Sequence, residues 1–220
     1  MTTSSTAWAI PFLSNRFLHV LIALFLVVFA WSAIQPAIPE DWLLENLLVF
    51  FLLPLLGVSY RWLTLSDLSY LLIFIFLSLH ECGAHYQYSD AVPGEWLKHV
   101  FQTDRNHYDR VVHFAFGLLL SYPQREILIR KAGLRGGWTY GLPILTTLAF
   151  SASYEILEAI GASIVDPADA AAFLGLQGDP WDSQKDMFMG LGGACVAMLV
   201  IALVPATQRV RLRRASNTIR

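Results

Sequence analysis

Long apolar segments dominate the sequence, and their length is the strongest constraint on its fold. They cover residues 17–34, 43–60, 68–85, 109–129, 138–160 and 187–204. About 17–25 apolar residues in a helix cross the hydrocarbon core of a bilayer, where helices satisfy every backbone hydrogen bond internally. The pattern predicts an all-α, polytopic transmembrane bundle of about six helices.

The composition agrees with a membrane protein and excludes other classes. The chain is 55% hydrophobic and 15% charged, which is too apolar for an ordinary soluble domain of this length. Its net charge of −2 lacks the basic footprint of a nucleic-acid partner. No repeat or linker divides the chain, and nothing in it specifies an oligomeric state. We expect one domain, residues 17–205, between an N-terminal segment, 1–16, and a basic tail, 206–220.

Three details of these segments need comment. Pro54 predicts a kink in the second segment. The fourth is the least typical, because Pro123, Arg125 and Glu126 crowd its far end. The first could be a secretory signal, since Ala30 and Ala33 form an AxA-like pair, but its length favours a retained helix.

The distribution of lysine and arginine predicts the orientation. With six crossings, one side receives eleven of these residues, including the tail, whereas the other receives four. These four are Lys98, Arg105, Arg110 and Lys185. By the positive-inside rule, both termini are cytoplasmic and an outer loop covers residues 87–105. Residues 95–101 of this loop predict a short amphipathic helix on the outer surface.

Four polar stretches then fall at the same outer level of the bundle. They are residues 79–88, 106–114, 151–162 and 178–188. The first resembles the HExxH signature of zinc proteases, but His80 and His85 are five residues apart, so their rings point about 140° apart around a helix and cannot share a metal in that way.

Helical spacing places the ionisable residues of the other three stretches on single faces. Asp109 and His113 are four residues apart, Glu155 and Glu158 three, and Asp182 and Asp186 four. Acids in a membrane are costly unless they are compensated. Three remedies remain open: pairing with Arg110, Lys185 or a protonated histidine, raised pKa values, or a divalent cation. If a metal binds, the expected ligands are Glu155, Glu158, Asp182 and Asp186.

These residues form a candidate catalytic set. A carboxylate or His113 would be the general base, Asp109 would orient His113, and Glu155 or Glu158 would be the general acid. The full catalytic set is His113, Asp109, Glu155, Glu158, Asp182 and Asp186. Substrate-binding candidates are His80, His85, Arg110, Asp179, Tyr108 and Trp181. Any of the charged pairs could instead be a structural ion pair that fixes a helix end.

Four motifs carry a family resemblance. They are HxxGxHYxY (80–88), RNHYDRxxHF (105–114), YExxE (154–158) and FLGxQGDxWDxQxDM (173–187). Together they resemble the YjdF-like family of uncharacterised bacterial inner-membrane proteins, and this resemblance implies the bacterial inner membrane as the location. More distantly, the order of the motifs DRxxHF, ExxE and DxxxD is similar to the order in VanZ-like membrane proteins. This second resemblance implies a role in the cell envelope.

Three functions fit this pattern. The first is an enzyme acting on a lipid or lipid-linked envelope substrate, as hydrolase or transferase. The second is a non-catalytic scaffold or envelope-protection protein whose polar cluster only holds the helices together. The third is a proton- or cation-coupled transporter, which the absence of a matching polar set at the cytoplasmic ends disfavours. Membrane lipids are the expected partners in every case.

Overall fold

The computed structural model describes residues 10–164 and 170–218, with side chains described as far as residue 204 except at residue 172. The secondary structure of this part of the chain is helical, which confirms the all-α prediction. The helices are α1 (Arg16–Ser32), α2 (Pro39–Glu45), α3 (Leu47–Ser59), α4 (Asp67–Tyr86), α5 (Val92–Phe101), α6 (Tyr108–Ala132), α7 (Trp138–Ala162), α8 (Ala170–Phe173) and α9 (Asp182–Thr218). The side chains of the basic tail, 206–220, lie outside the described residues.

Three of the described helical stretches are long and apolar enough to cross a membrane. They are Pro39–Ser59, which joins α2 and α3, Asp67–Tyr86 and Asp182–Val204. Helix α1 is apolar but shorter. Helices α6 and α7 each have 25 residues, which at 1.5 Å per residue gives about 37 Å. The number of six crossings and the position of the termini remain predictions.

The second apolar segment is interrupted at a different place from the one predicted. Helix α3 continues through Pro54, whereas the break from α2 lies at Asn46. The Asn46 side-chain amide donates to the carbonyl of Trp42 over 2.9 Å, and the same carbonyl also accepts from the Asn46 backbone N–H at 3.0 Å. The helix also begins earlier than expected, because Pro39 is well suited to the first turn.

Helix α6 is the centre of the bundle and packs against α4, α7 and most extensively α9. Glycines allow its close approach to α9. A Cβ atom on Gly117 would lie 1.9 Å from the carbonyl oxygen of Gly190, and one on Gly193 would lie 2.1 Å from that of Phe114. Gly192, in contrast, has no neighbour within 4 Å.

Hydrogen bonds to Glu126 fix α4 against α6 at the end of the bundle that holds the N-terminus of α4. The Glu126 carboxylate accepts from the backbone N–H of Ser66 at 2.9 Å and from the hydroxyls of Ser66 and Ser69 at 2.8 and 2.5 Å. Arg130 donates to the same carboxylate. An anion at a helix N-terminus is favourable. The C-terminal end of α4 and the N-terminal end of α6 consequently meet at the opposite end.

Helix α1 is an integral part of the bundle. It packs against α4 and buries Leu18, Leu21 and Phe25 on one face. Its last residue, Ser32, donates a hydrogen bond to the buried Glu81 of α4. That this helix is retained and is not a signal peptide remains a prediction.

The contact between α6 and α9 generates a test. We expect Gly193→Ala to lower stability by about 1–3 kcal/mol, because the new methyl group meets a backbone carbonyl that cannot move independently. Gly192→Ala is the matched control, and there the methyl group enters open space. Thermal unfolding of the two purified variants in the same detergent measures the difference. Equal melting temperatures would contradict the packing.

Candidate functional site

The N-terminal turns of α6 and α9 and the second half of α7 come together at one end of the bundle. Asp109 and His113 come from α6, Glu155 from α7 and Asp186 from α9. We call these four residues the acid–imidazole cluster. Its members are separated by up to 77 positions in the sequence and are joined because α6 packs on both α7 and α9.

Distances within the acid–imidazole cluster are short. His113 Nε2 lies 3.4 Å from Asp109 Oδ1 and 3.6 Å from Glu155 Oε1. One ligand atom from each of Asp109, His113 and Asp186 lies within 4.8 Å of the others. The same imidazole nitrogen therefore faces carboxylates from two different helices. Separations of 3.4–3.6 Å are longer than a good N–H···O hydrogen bond.

The cluster is buried and incompletely satisfied. Glu155 is 8% exposed and Asp186 is 2% exposed. Glu155 Oε1 and Asp186 Oδ1 have no hydrogen-bond partner. Asp109 lies in the first turn of α6, where the positive end of the helix dipole partly compensates its charge. The unpartnered oxygens nevertheless need a further positive group or a proton.

A second group of charges lies next to the cluster, and each of its side chains takes part in an ion pair, although Asp182 Oδ2, Arg105 Nε and Arg110 Nε have no hydrogen-bond partner. Arg110 donates to Asp179 at 2.6 Å and to Asp182 at 3.2 Å, and Arg105 also binds Asp182. Lys185 donates to Asp179 at 2.5 Å. This hydrogen bond is the main reason why the pKa of the Asp179 carboxyl lies below its usual value. We call these five residues the clamp network.

Residues 174–180 lie over the cluster, and we call them the cover segment. The clamp network holds this segment in place. Arg105 donates to the carbonyls of Leu176 at 2.8 Å and Gly175 at 3.2 Å. Gln177 exchanges two hydrogen bonds with the backbone of Asn106, at 2.9 and 3.0 Å. A Cβ atom on Gly175, whose φ is +63°, would lie 3.5 Å from Asp109 Oδ2. The cover segment therefore lies directly on the cluster.

An open depression of about 760 Å³ lies on the outer face of the cover segment. Its lining includes Asp90, Lys98, Gly175, Gln177 and Asp179. Gly175 thus contributes to the depression and contacts the cluster, so that this backbone separates the two. The charged side chains of the lining are Lys98, which is paired with Glu95, and the carboxylates of Asp90 and Asp179.

Glu45 is a neighbour of the cluster that the sequence interpretation missed. The hydroxyl of Tyr154 donates to Glu45 Oε2 at 2.5 Å, and the ring of Tyr154 meets that of His113 edge-on with centroids 6.1 Å apart. His80 contacts the backbone carbonyl of Glu45 at 3.2 Å and the hydroxyl of Tyr88 at 2.6 Å. An acid inside an apolar segment is itself a signal of function, and Glu45 has that position.

Several predicted site residues lie apart from the acid–imidazole cluster. His85 is on the α1 side of α4, with Nδ1 3.0 Å from the carbonyl of Ser32 and its ring against Trp31. Tyr108 is buried and donates to the carbonyl of Leu79 at 2.8 Å. Trp181 is 64% exposed. These positions give none of the three a direct contact with the cluster.

The expected metal-ligand set is divided by the structure. Asp182 belongs to the clamp network, where two arginines occupy its carboxylate. Asp186 instead joins Asp109 and His113. Glu158, one turn from Glu155, lies close enough to Glu45 and Glu155 to interact with their charges. The physical reason is that Arg105 and Arg110 donate hydrogen bonds to the first aspartate of α9, whereas the second has only a longer ion pair, with Arg110 Nε 4.0 Å from Asp186 Oδ1.

A helical integral membrane protein with a buried acidic and imidazole cluster at one end is therefore the class that this fold and site define. The chain belongs to the family of predicted membrane proteins described as DUF2238, whose model matches residues 17–207. It is 36% identical over 162 residues to the inner membrane protein YjdF of Escherichia coli strain K12. The aligned region covers 73% of this chain and 77% of that protein. No solved structure matches the chain.

The family match confirms the resemblance to YjdF-like proteins, and with it an inner-membrane location. The more distant resemblance to VanZ-like proteins remains a prediction.

The clamp network generates a second test. We expect Arg105→Gln to destabilise the protein by up to about 3 kcal/mol, because it leaves the buried Asp182 with a single arginine and frees the carbonyls of the cover segment. Amides 174–178 should then exchange with deuterium faster than in the wild type. The exposed Arg135→Gln is the control. Unchanged exchange in Arg105→Gln would show that the cover segment is held by other contacts.

Proposed function

We propose that this protein is a membrane-embedded enzyme that acts on a lipid or lipid-linked envelope substrate by general acid–base chemistry. The observation that carries the proposal is the convergence of Asp109, His113, Glu155 and Asp186 in one buried cluster, with Glu155 Oε1 unpartnered. Buried carboxylates beside an imidazole are typical of sites that transfer protons.

Each residue of the cluster has a role in this proposal. Glu155 takes the proton of an attacking water or hydroxyl group and returns it to the leaving group. His113, Asp109 and Asp186 hold and polarise the nucleophile. The depression above Gly175 receives the polar head of the substrate.

The distribution of positive charge supports an outward position for this end of the bundle. In that orientation both termini are cytoplasmic, and the head groups of the outer leaflet lie at the level of the depression. A lipid tail would remain in the bilayer while its head enters the site.

A structural role is the second candidate. The clamp network supports it, because Arg105, Arg110 and Lys185 pair with Asp179 and Asp182 across the α6 and α9 ends. A transporter has less support. Glu126, a half-buried acid toward the opposite end, is already bound by two serines and Arg130.

Glu155→Gln tests catalysis. Wild-type protein in vesicles of bacterial phosphatidylethanolamine, phosphatidylglycerol, cardiolipin and a polyprenyl diphosphate should convert one component to a product detected by mass spectrometry. We expect Glu155→Gln to lower the rate by roughly 10²- to 10⁴-fold, because the proton acceptor is lost. Its melting temperature should stay close to that of the wild type.

The exposed Glu40→Gln is the matched control and should retain the wild-type rate. A Glu155→Gln protein that fails to fold would favour the structural role. The remaining outcome is that the wild-type protein leaves every component of these vesicles unchanged, and also those of vesicles made from a total bacterial lipid extract. That result would contradict the proposal that the protein is an enzyme.

The proposed orientation has its own test. In a chain without its two native cysteines, Asp90→Cys should react with a membrane-impermeant thiol reagent in intact spheroplasts. Arg135→Cys should react only after lysis, because it lies at the other end of the bundle. Both side chains are exposed in the structure. The reverse pattern of labelling would invert the orientation.

A further inference from the structure

We propose that Asp109, His113 and Asp186 bind one divalent transition-metal ion of the Zn²⁺ class. Glu155 then lies beside a coordination position that remains open to water. The inference concerns binding, and it stands whether or not the protein turns over a lipid.

The first argument is geometric. Zinc binds imidazole nitrogen and carboxylate oxygen at about 2.0–2.2 Å, so ligand atoms in a tetrahedral site lie about 3.3–3.6 Å from one another. The separation of His113 Nε2 and Asp109 Oδ1 is 3.4 Å, which fits that value. The ligand atoms of all three residues lie within 4.8 Å of one another, so a side-chain movement of about 1 Å would complete the site.

The second argument is that buried carboxylate oxygens lack hydrogen-bond partners. Asp186 is 2% exposed, and its Oδ1 has no hydrogen-bond partner. Arg110 Nε forms an ion pair with this oxygen at 4.0 Å, too long for a hydrogen bond, and the same guanidinium also binds Asp179 and Asp182 through Nη2. Glu155 Oε1 is also buried and unpartnered. Around His113 the carboxylates outnumber the free cations, so a bound divalent ion would supply the missing charge.

The donor set indicates the kind of metal. Mg²⁺ and Ca²⁺ prefer ligand shells made of oxygen alone. An imidazole nitrogen favours zinc and its transition-metal neighbours, whereas two carboxylates also suit Mn²⁺. Three protein ligands with one open position are typical of catalytic zinc. Glu155 Oε1, 3.6 Å from the ligating nitrogen, is placed to accept a proton from metal-bound water.

Metal binding can be measured on the purified full chain in detergent. The wild type is treated with a chelator, mixed with Zn²⁺ and desalted. Its metal content is then measured by inductively coupled plasma mass spectrometry. We expect about one Zn²⁺ per chain, with Mg²⁺ unable to displace it. His113→Gln and Asp186→Asn should each weaken binding by at least roughly 100-fold.

The exposed residues His99 and Asp104 provide the matched controls His99→Gln and Asp104→Asn, which should bind as the wild type does. Co²⁺ supplies a readout that needs no variant, because a tetrahedral site with a nitrogen ligand absorbs strongly in the visible region. Wild-type protein that retains neither Zn²⁺ nor Mn²⁺ and gives no Co²⁺ absorption would overturn the proposal. Binding that both ligand variants retain would overturn it as well.

Discussion

The backbone contact between α6 and α9 is the constraint on which the site depends. Gly117 and Gly193 allow the two helices to touch without intervening side chains. His113 lies one turn before Gly117, and Asp186 lies one turn before Gly190. A wider separation of the helices would move this imidazole and this carboxylate apart by the same amount. Close helix packing thus sets the distances of the cluster.

Charge compensation divides the end of the bundle into two parts with different chemistry. The clamp network places cations against Asp179 and Asp182, and it holds the cover segment through the carbonyls of Gly175 and Leu176. In the acid–imidazole cluster beneath it, the carboxylates outnumber the cations, and Glu155 Oε1 and Asp186 Oδ1 have no hydrogen-bond partner. Burial makes such an imbalance costly. Such clusters are found at sites of proton transfer or cation binding and also in structural ion-pair networks.

Much of the architecture followed from the sequence, and the exceptions have physical causes. Apolar length predicted the helices, and helical spacing predicted that Asp109 shares a face with His113. The break at Asn46 was missed, because Pro54 is the stronger helix breaker by propensity. Glu45 was missed as well, and Gln177 was included in the 173–187 motif without a role. Their importance comes from partners far along the chain, Tyr154 and Asn106, which no local pattern records.

The sequence by itself determined the helical membrane class and the faces of α6, α7 and α9 that carry polar groups, because both depend on local hydrophobicity and on the period of a helix. Only the tertiary structure decided which acid has which partner. Asp182 and Asp186 share one face of α9, yet Arg105 and Arg110 bind the first, while the second joins Asp109 and His113. That choice depends on distances of a few ångströms between helices, which residue spacing along one helix does not specify.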